Sequence, residues 1–197
     1  MASISANRVS EPFLLAQVFP IDAAHRVVPG PFPADLLPQF TQLMYRLAAY
    51  VQNKEIYVQY AHVGCQPNHC LSVRFVTETA WHSLFVRHMY TPVEGGGDFS
   101  EYAVDFSVVH VPGFRADPRA DGRPSTAFVM INLSQQVIFI CGTHYAGEIQ
   151  QAVFSMLNFL VPQDDTFLMR CAANVGPDKD VAIFMGRGGS GKTALAL

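Results

Sequence analysis

The chain is short of charge. Asp, Glu, Lys and Arg make up only 15% of its 197 residues, and the formal net charge is −3. That balance leaves no electrostatic footprint for a phosphodiester backbone, so nucleic acid is excluded as the expected partner. Long apolar runs are also missing: none approaches the ~20 residues that cross a bilayer. The first residues, MASISANRVSEPFLLAQ, lack the basic start and apolar block of a secretory signal. No membrane partner is expected, and the expected location is cytoplasmic. Cysteine is scarce too. Cys65, Cys70, Cys141 and Cys171 are too few and too scattered to staple a chain of this size, and they read as reduced thiols. What is abundant is apolar side chain: half the residues are hydrophobic, which supports a real core and excludes intrinsic disorder. At about 150 residues per domain, the length predicts one domain, or one and a fragment of a second.

Residues 1–36 carry Pro12, Pro20, Pro29, Pro31 and Pro33 and read as an irregular lead-in. From Pro38 to Val51 the spacing of Phe40, Leu43, Leu47 and Tyr50 or Val51 predicts an amphipathic helix. Strands are predicted over Ile56–Tyr60, Leu71–Thr77 and Tyr102–Val111, with a helix over Trp81–His88 capped by Thr77 or Thr79. EGGGD at 94–98 and ADPRADGRP at 116–124 read as loops. Ala127–Leu133 and Val137–Cys141, joined by Ser134-Gln135-Gln136, read as a hairpin. Ile149, Val153, Met156, Leu157 and Leu160 then repeat at helical spacing, predicting a helix over 147–160 that stops before Pro162. Val181–Met185 is a compact apolar strand. The fold class is mixed α/β (α+β), without a clean βαβ alternation.

Directly after that strand, Gly186-Arg187-Gly188-Gly189-Ser190-Gly191-Lys192-Thr193 fits G-x-x-x-x-G-K-[ST]. Glycines let such a loop curl so that backbone N–H groups point inward at phosphate oxygens, and the helix that follows presents its positive end to the same anion. In this pattern Lys192 reaches the β- and γ-phosphates, and Thr193 offers its hydroxyl to Mg²⁺. A nucleotide's phosphates with Mg²⁺ are therefore the expected ligand. Leu197 comes only four residues after Thr193. The distal acidic metal ligand and the base pocket are therefore expected to be absent, which leaves half of a nucleotide site.

Four blocks carry a resemblance: VTETAWHSLFVRHMY (76–90), VPGFRADPRADG (111–122), GTHYAGEIQQAVFSMLNFLVP (142–162) and MRCAANVGPDKDVAIFMGRGGSGKTAL (169–195). From about Glu55 onward the chain resembles ATP-dependent phosphoenolpyruvate carboxykinases, enzymes of over 500 residues, and looks like an internal or truncated, divergent piece of one. The resemblance implies that family's N-terminal domain over 55–176 after a divergent lead-in and first helix (1–54), and the start of its P-loop nucleotide-binding domain over 177–197. It implies the reaction of oxaloacetate with ATP to phosphoenolpyruvate, CO₂ and ADP, a step of gluconeogenesis, with Mg²⁺ on the nucleotide and Mn²⁺ between enzyme and substrate. Tyr145 matches the family's substrate-contacting tyrosine, and Gly186–Thr193 its ATP loop. Departures fall on chemistry positions. Gln150 and Gln151 stand where the family has two lysines, the second a Mn²⁺ ligand, and Arg170 stands where it has a metal-binding histidine. Gly188 replaces a serine of the loop, and the family's Thr-Gly-Arg-Ser-Pro segment has no match in residues 1–54. Arg170 has no lone pair to offer a metal. The chain alone is therefore expected to be impaired or inactive. The alternative is a non-catalytic nucleotide- or partner-binding remnant of the family.

The remaining constellations have simpler readings. His62, Cys65, His69 and Cys70 lie close together but match no standard zinc spacing, and read as an inter-strand loop. His82 and His88 read as packing or surface residues, and His144 as a surface residue. Cys171 has no evident catalytic partner. Trp81, Phe85, Tyr90, Phe154 and Phe159 read as core, and Arg115, Arg119 and Arg123 as solvated loop residues.

Overall fold

The computed structural model describes residues 37–64, 70–93, 102–117, 126–133, 136–164 and 166–197. The lead-in over 1–36, the loop 94–98, most of the loop 116–124, Ser134 and Gln135 lie outside the described residues, as does the side chain of Phe40. Two compact units are present, Met1–Met156 and Leu157–Leu197.

The first unit is built on a six-stranded mixed sheet in the order β3-β1-β2-β4-β6-β5. Its strands are β1 (Tyr57–Val63), β2 (Leu71–Thr77), β3 (Thr91–Pro92), β4 (Phe106–Val111), β5 (Phe128–Asn132) and β6 (Val137–Cys141). β2, β4 and β6 run parallel to one another, while β1 joins β2 and β5 joins β6 antiparallel. β4 and β6 are buried at every residue. Parallel strands need cover on both faces, and alternation sorts their side chains. Val109, Val111, Val137, Phe139 and Cys141 pack with Leu43, Met44 and Leu47 of helix α1 (Leu37–Val51), with Val58 and Val76 beside them. Val108, His110, Ile138 and Ile140 point the other way and are just as buried. On that face α2 (Ala80–Met89) brings His82 against His110. Helix α3 (Gly147–Leu160) buries Ile149, Val153 and Met156 of its predicted stripe together with Ala152, while Leu157 and Leu160, also expected on it, are only half-buried. Each fully buried Ile, Leu or Phe contributes about 1.5–3 kcal/mol through area removed from water.

Thr79 caps α2, its side chain accepting from the His82 N–H. α1 stops at Val51, where Lys54 N–H turns back onto the Val51 carbonyl and Asn53 adopts a left-handed φ of 61°.

Several expectations need correction. β1 begins at Tyr57 and runs on to Val63. β4 begins only at Phe106, because Asp105 is occupied in clamping Ser72: its N–H donates to the Ser72 carbonyl and its carboxylate accepts from the Ser72 N–H. Trp81 is not core but 61% exposed. The buried positions of α2 are His82, Ser83 and Val86, and at 100° per residue Trp81 falls on the opposite side. Phe159 is also not core: it lies past Met156, the last buried position of α3, and is 40% exposed. Phe85 and Phe154 are half-buried, and Tyr90 stacks on Phe75 with ring centroids 4.9 Å apart.

In the second unit, β7 (Ala172–Val175), which the sequence did not announce, pairs antiparallel with β8 (Val181–Phe184). A tight turn joins them, with Gly176 N–H donating to the Asp180 carbonyl and Lys179 N–H to the Gly176 carbonyl. The short helix α4 (Lys192–Ala196) lies against this ribbon, held by the Asn174 side-chain amide on the Ala196 carbonyl at 2.7 Å. Among the described residues no helix is long and apolar enough to cross a membrane.

Candidate functional site

The glycine loop sits between β8 and α4, the strand–loop–helix order its pattern requires. Ser190 N–H turns back onto the Arg187 carbonyl at 3.3 Å. Gly189 (φ 78°) and Gly191 (φ 83°) both occupy the left-handed region, which side chains other than glycine's tolerate poorly. Gly191 is the N-cap of α4 and offers no side-chain oxygen, so the first helical N–H groups have no side-chain cap. The Lys192 ammonium folds back across the loop and donates to the carbonyls of Gly186 (2.9 Å) and Arg187 (2.7 Å). The loop therefore holds a cation at its centre, next to exposed backbone. At Gly186 the chain passes so close to Ser190 that a Cβ would sit 2.7 Å from the Ser190 hydroxyl. At Gly188 a Cβ would meet nothing within 4 Å. Thr193 is exposed on the first turn of α4.

A second set of residues lies in the first unit, where β6 leads into α3. Gly142 is left-handed (φ 75°), and a Cβ there would strike the Thr126 carbonyl at 2.7 Å. Tyr145 follows, with its side chain 70% exposed. Its N–H donates to the Thr143 hydroxyl at 3.2 Å, and its carbonyl accepts the Glu148 N–H at 3.1 Å at the start of α3. Its ring covers Gly147, where a Cβ would lie 2.6 Å from the ring carbons. The His144 side chain is exposed, as expected, but its backbone carbonyl accepts the Nε2–H of the buried His82 at 3.0 Å. Burial depresses the His82 pKa, partly offset by that bond to His144. His110 beside it is fully buried with neither ring nitrogen hydrogen-bonded, and burial, aided by His82, pushes its pKa down to about 3.

Glu78 ties three elements together. Its carboxylate accepts from the Tyr50 hydroxyl (2.8 Å), the Lys54 ammonium (3.0 Å) and the Gly113 N–H (2.8 Å). Burial pushes its pKa up, but the hydrogen bonds from Gly113, Lys54 and Tyr50 win and hold it below the ordinary value. Glu78, His82 and His110 escape sequence reasoning because their partners are far away along the chain.

Gln151 is half-buried on α3, its carbonyl accepting the Ser155 hydroxyl. Arg170 is exposed in the other unit. A neutral amide oxygen is a weak ligand for a divalent ion, and a guanidinium offers it no lone pair at all. No cluster of three or more His, Cys, Asp or Glu side chains suited to a metal occurs among the described residues. Of the soft cluster, His62 lies in β1 and Cys70 is exposed, whereas Cys65 and His69 lie outside the described residues. Arg115 and Cys171 are exposed; Arg119 and Arg123 lie outside the described residues.

Comparison with known proteins covers both units. A profile of the phosphoenolpyruvate carboxykinase family matches residues 36–197. The chain is 44% identical over 162 residues to the phosphoenolpyruvate carboxykinase (ATP) of Geobacter metallireducens, covering 80% of this chain and 30% of that protein. It is 42% identical over 168 residues to the enzyme of the same name from Rubrobacter xylanophilus (84% and 31%), and 38% over 157 residues to that of Deinococcus radiodurans (80% and 34%). The chain thus spans about a third of the length of the curated relatives it matches.

Proposed function

The chain belongs to the ATP-dependent phosphoenolpyruvate carboxykinase family, and from that premise we propose that it keeps the family's nucleotide-phosphate cradle while its metal-dependent decarboxylation is impaired. The observation that carries the reading is Lys192 folded onto the carbonyls of Gly186 and Arg187. A phosphate oxygen is a stronger partner for an ammonium than a neutral carbonyl is, because both partners then carry full charge and attract each other coulombically. On ATP binding the ammonium would swing from the carbonyls to the β- and γ-phosphates, with the glycine N–H groups of 186–191 closing on the same anion. Residues 177–197 are in this reading the opening of the nucleotide domain, and 55–176 the N-terminal domain. Thr193 would hold Mg²⁺, whose chemistry when bound is to neutralise charge between the phosphates.

The substrates of the family reaction are oxaloacetate and ATP, yielding phosphoenolpyruvate, CO₂ and ADP, a lyase step in gluconeogenesis. Tyr145, exposed at the head of α3, would in this reading meet oxaloacetate or phosphoenolpyruvate. Mn²⁺ does not fit the residues present at the two positions the family uses for it, Gln151 and Arg170. That misfit favours a nucleotide-binding, non-catalytic member over a full enzyme. A coupled assay with Mn²⁺, Mg²⁺, ATP and oxaloacetate tests this. Turnover well below about 1 s⁻¹, the lower end of ordinary enzymes, is expected. Metal-dependent turnover at or above that rate overturns the impairment.

A further inference from the structure

We propose that His82 is a positioning residue for Tyr145, acting through the backbone carbonyl of His144; its consequence for ligand rests on reading Tyr145 as the substrate-facing tyrosine.

His82 is 62 positions from His144 and only 2% exposed, yet its Nε2 lies 3.0 Å from the His144 carbonyl oxygen. A carbonyl oxygen only accepts, so Nε2 carries the proton. Nδ1 is then bare and must accept, and the Thr79 hydroxyl is 2.5 Å from it. The same hydroxyl oxygen accepts the His82 backbone N–H as the cap of α2. The Thr79 hydroxyl both donates to Nδ1 and accepts the backbone N–H, every other group has a single compatible role, and only the Nε2–H tautomer allows this. His110 stands edge-on to the His82 ring, centroids 4.1 Å apart, and having no hydrogen bond of its own it serves as an apolar wall against which the ring rests.

The His144–Tyr145 peptide is therefore tied at both ends: its oxygen to His82, its N–H to the Thr143 hydroxyl. The outer face of Tyr145 is open to solvent, so its placement comes from the backbone and from Gly147 beneath the ring. Fixing one peptide plane fixes the direction in which the ring leaves the chain. Losing such fixation lowers the fraction of molecules ready to bind.

The test uses the full chain, ¹⁵N- and ¹³C-labelled, with His82→Leu, His82→Gln and Tyr145→Ala. Gln can place an amide N–H near the site of Nε2; Leu cannot. The wild-type ¹⁵N spectrum should show His82 protonated at Nε2 alone. An Nδ1–H tautomer overturns the inference without any variant, so a His82→Leu protein that fails to fold does not shelter it. The Gly147 α-proton, lying against the Tyr145 ring, should be shifted upfield. That shift should collapse in His82→Leu and return in His82→Gln, and an unchanged shift in a folded His82→Leu overturns the inference. Phosphoenolpyruvate is the binding probe: affinity should fall about tenfold in His82→Leu and Tyr145→Ala and recover in His82→Gln. If Tyr145→Ala leaves the affinity unchanged while the shift behaves as stated, the substrate reading fails and the positioning stands. If Tyr145→Ala weakens binding and His82→Leu does not, the substrate reading stands and the positioning fails.

Discussion

The Glu78 carboxylate accepts the Tyr50 hydroxyl at 2.8 Å across 28 positions of sequence, joining the end of α1 to the turn before α2. With Lys54 and the Gly113 N–H on the same carboxylate, the ionised form is the bonded one. Its pKa is lower folded than unfolded, so its stabilisation is fully present above the ordinary carboxylate range and fades as pH falls through the lowered value. Glu78→Gln should cost about 1–2 kcal/mol at pH 7, at the low end for hydrogen bonds to a charge because the site is part-exposed. Urea unfolding of both proteins at pH 7 and pH 3.5 checks it: the gap should narrow at the lower pH.

Much of this fold is legible in the sequence, and the reasons are local. Helix α3 falls where Ile149, Val153 and Met156 recur at helical spacing. The glycine loop is legible because its chemistry is contiguous, so strand, loop, lysine and helix can all be read in one window. The hairpin of β5 and β6 was likewise marked by two apolar runs and a short connection. What escapes is non-local. Nothing near His82 in sequence points to His144 or His110, and nothing near Glu78 points to Gly113, 35 positions on. β7 is not legible, because Ala172, Ala173 and Asn174 carry no strand signature. At Trp81 aromatic bulk predicts burial, but the helical phase set by His82, Ser83 and Val86 points the ring outward.

His110 supplies a second pH dependence. Buried and without a hydrogen bond, it stays neutral in the folded protein down to about pH 3. Unfolded, it takes a proton near its ordinary value. Stability from this group is therefore fully present above pH ~6.5 and declines toward pH 3 by about 1.4 kcal/mol per unit. His110→Leu should flatten the decline between pH 6.5 and 5, where few carboxylates titrate. Unfolding midpoints at those two pH values decide it.

Gly147→Ala separates stability from ligand response. Alanine favours a helix by up to about 1 kcal/mol over glycine. Its Cβ, however, would lie 2.6 Å from the Tyr145 ring, which is free to swing outward. The variant should fold as well as wild type or better, while phosphoenolpyruvate binding weakens. Thermal unfolding and a phosphoenolpyruvate titration on the same preparation read the two effects apart.

Gly188→Ser restores a hydroxyl that the family carries in the loop. There is room for it, with no atom within 4 Å of its Cβ, and Gly188 is not in a left-handed conformation. Stability should hold or rise by about 0.4–1 kcal/mol through a less flexible unfolded chain. ATP affinity should rise with it, because the loop gains a donor. Paired calorimetric titrations of the two proteins check this.

The proposed phosphate cradle turns on Lys192, drawn across its loop onto the Gly186 and Arg187 carbonyls. Isothermal titration of the full chain with ATP and Mg²⁺, beside Lys192→Ala, addresses it most directly. Saturable binding to wild type is expected, weakening at least about tenfold, or 1.4 kcal/mol, in the variant. Equal affinity in both proteins, or no heat of binding in wild type, would contradict it.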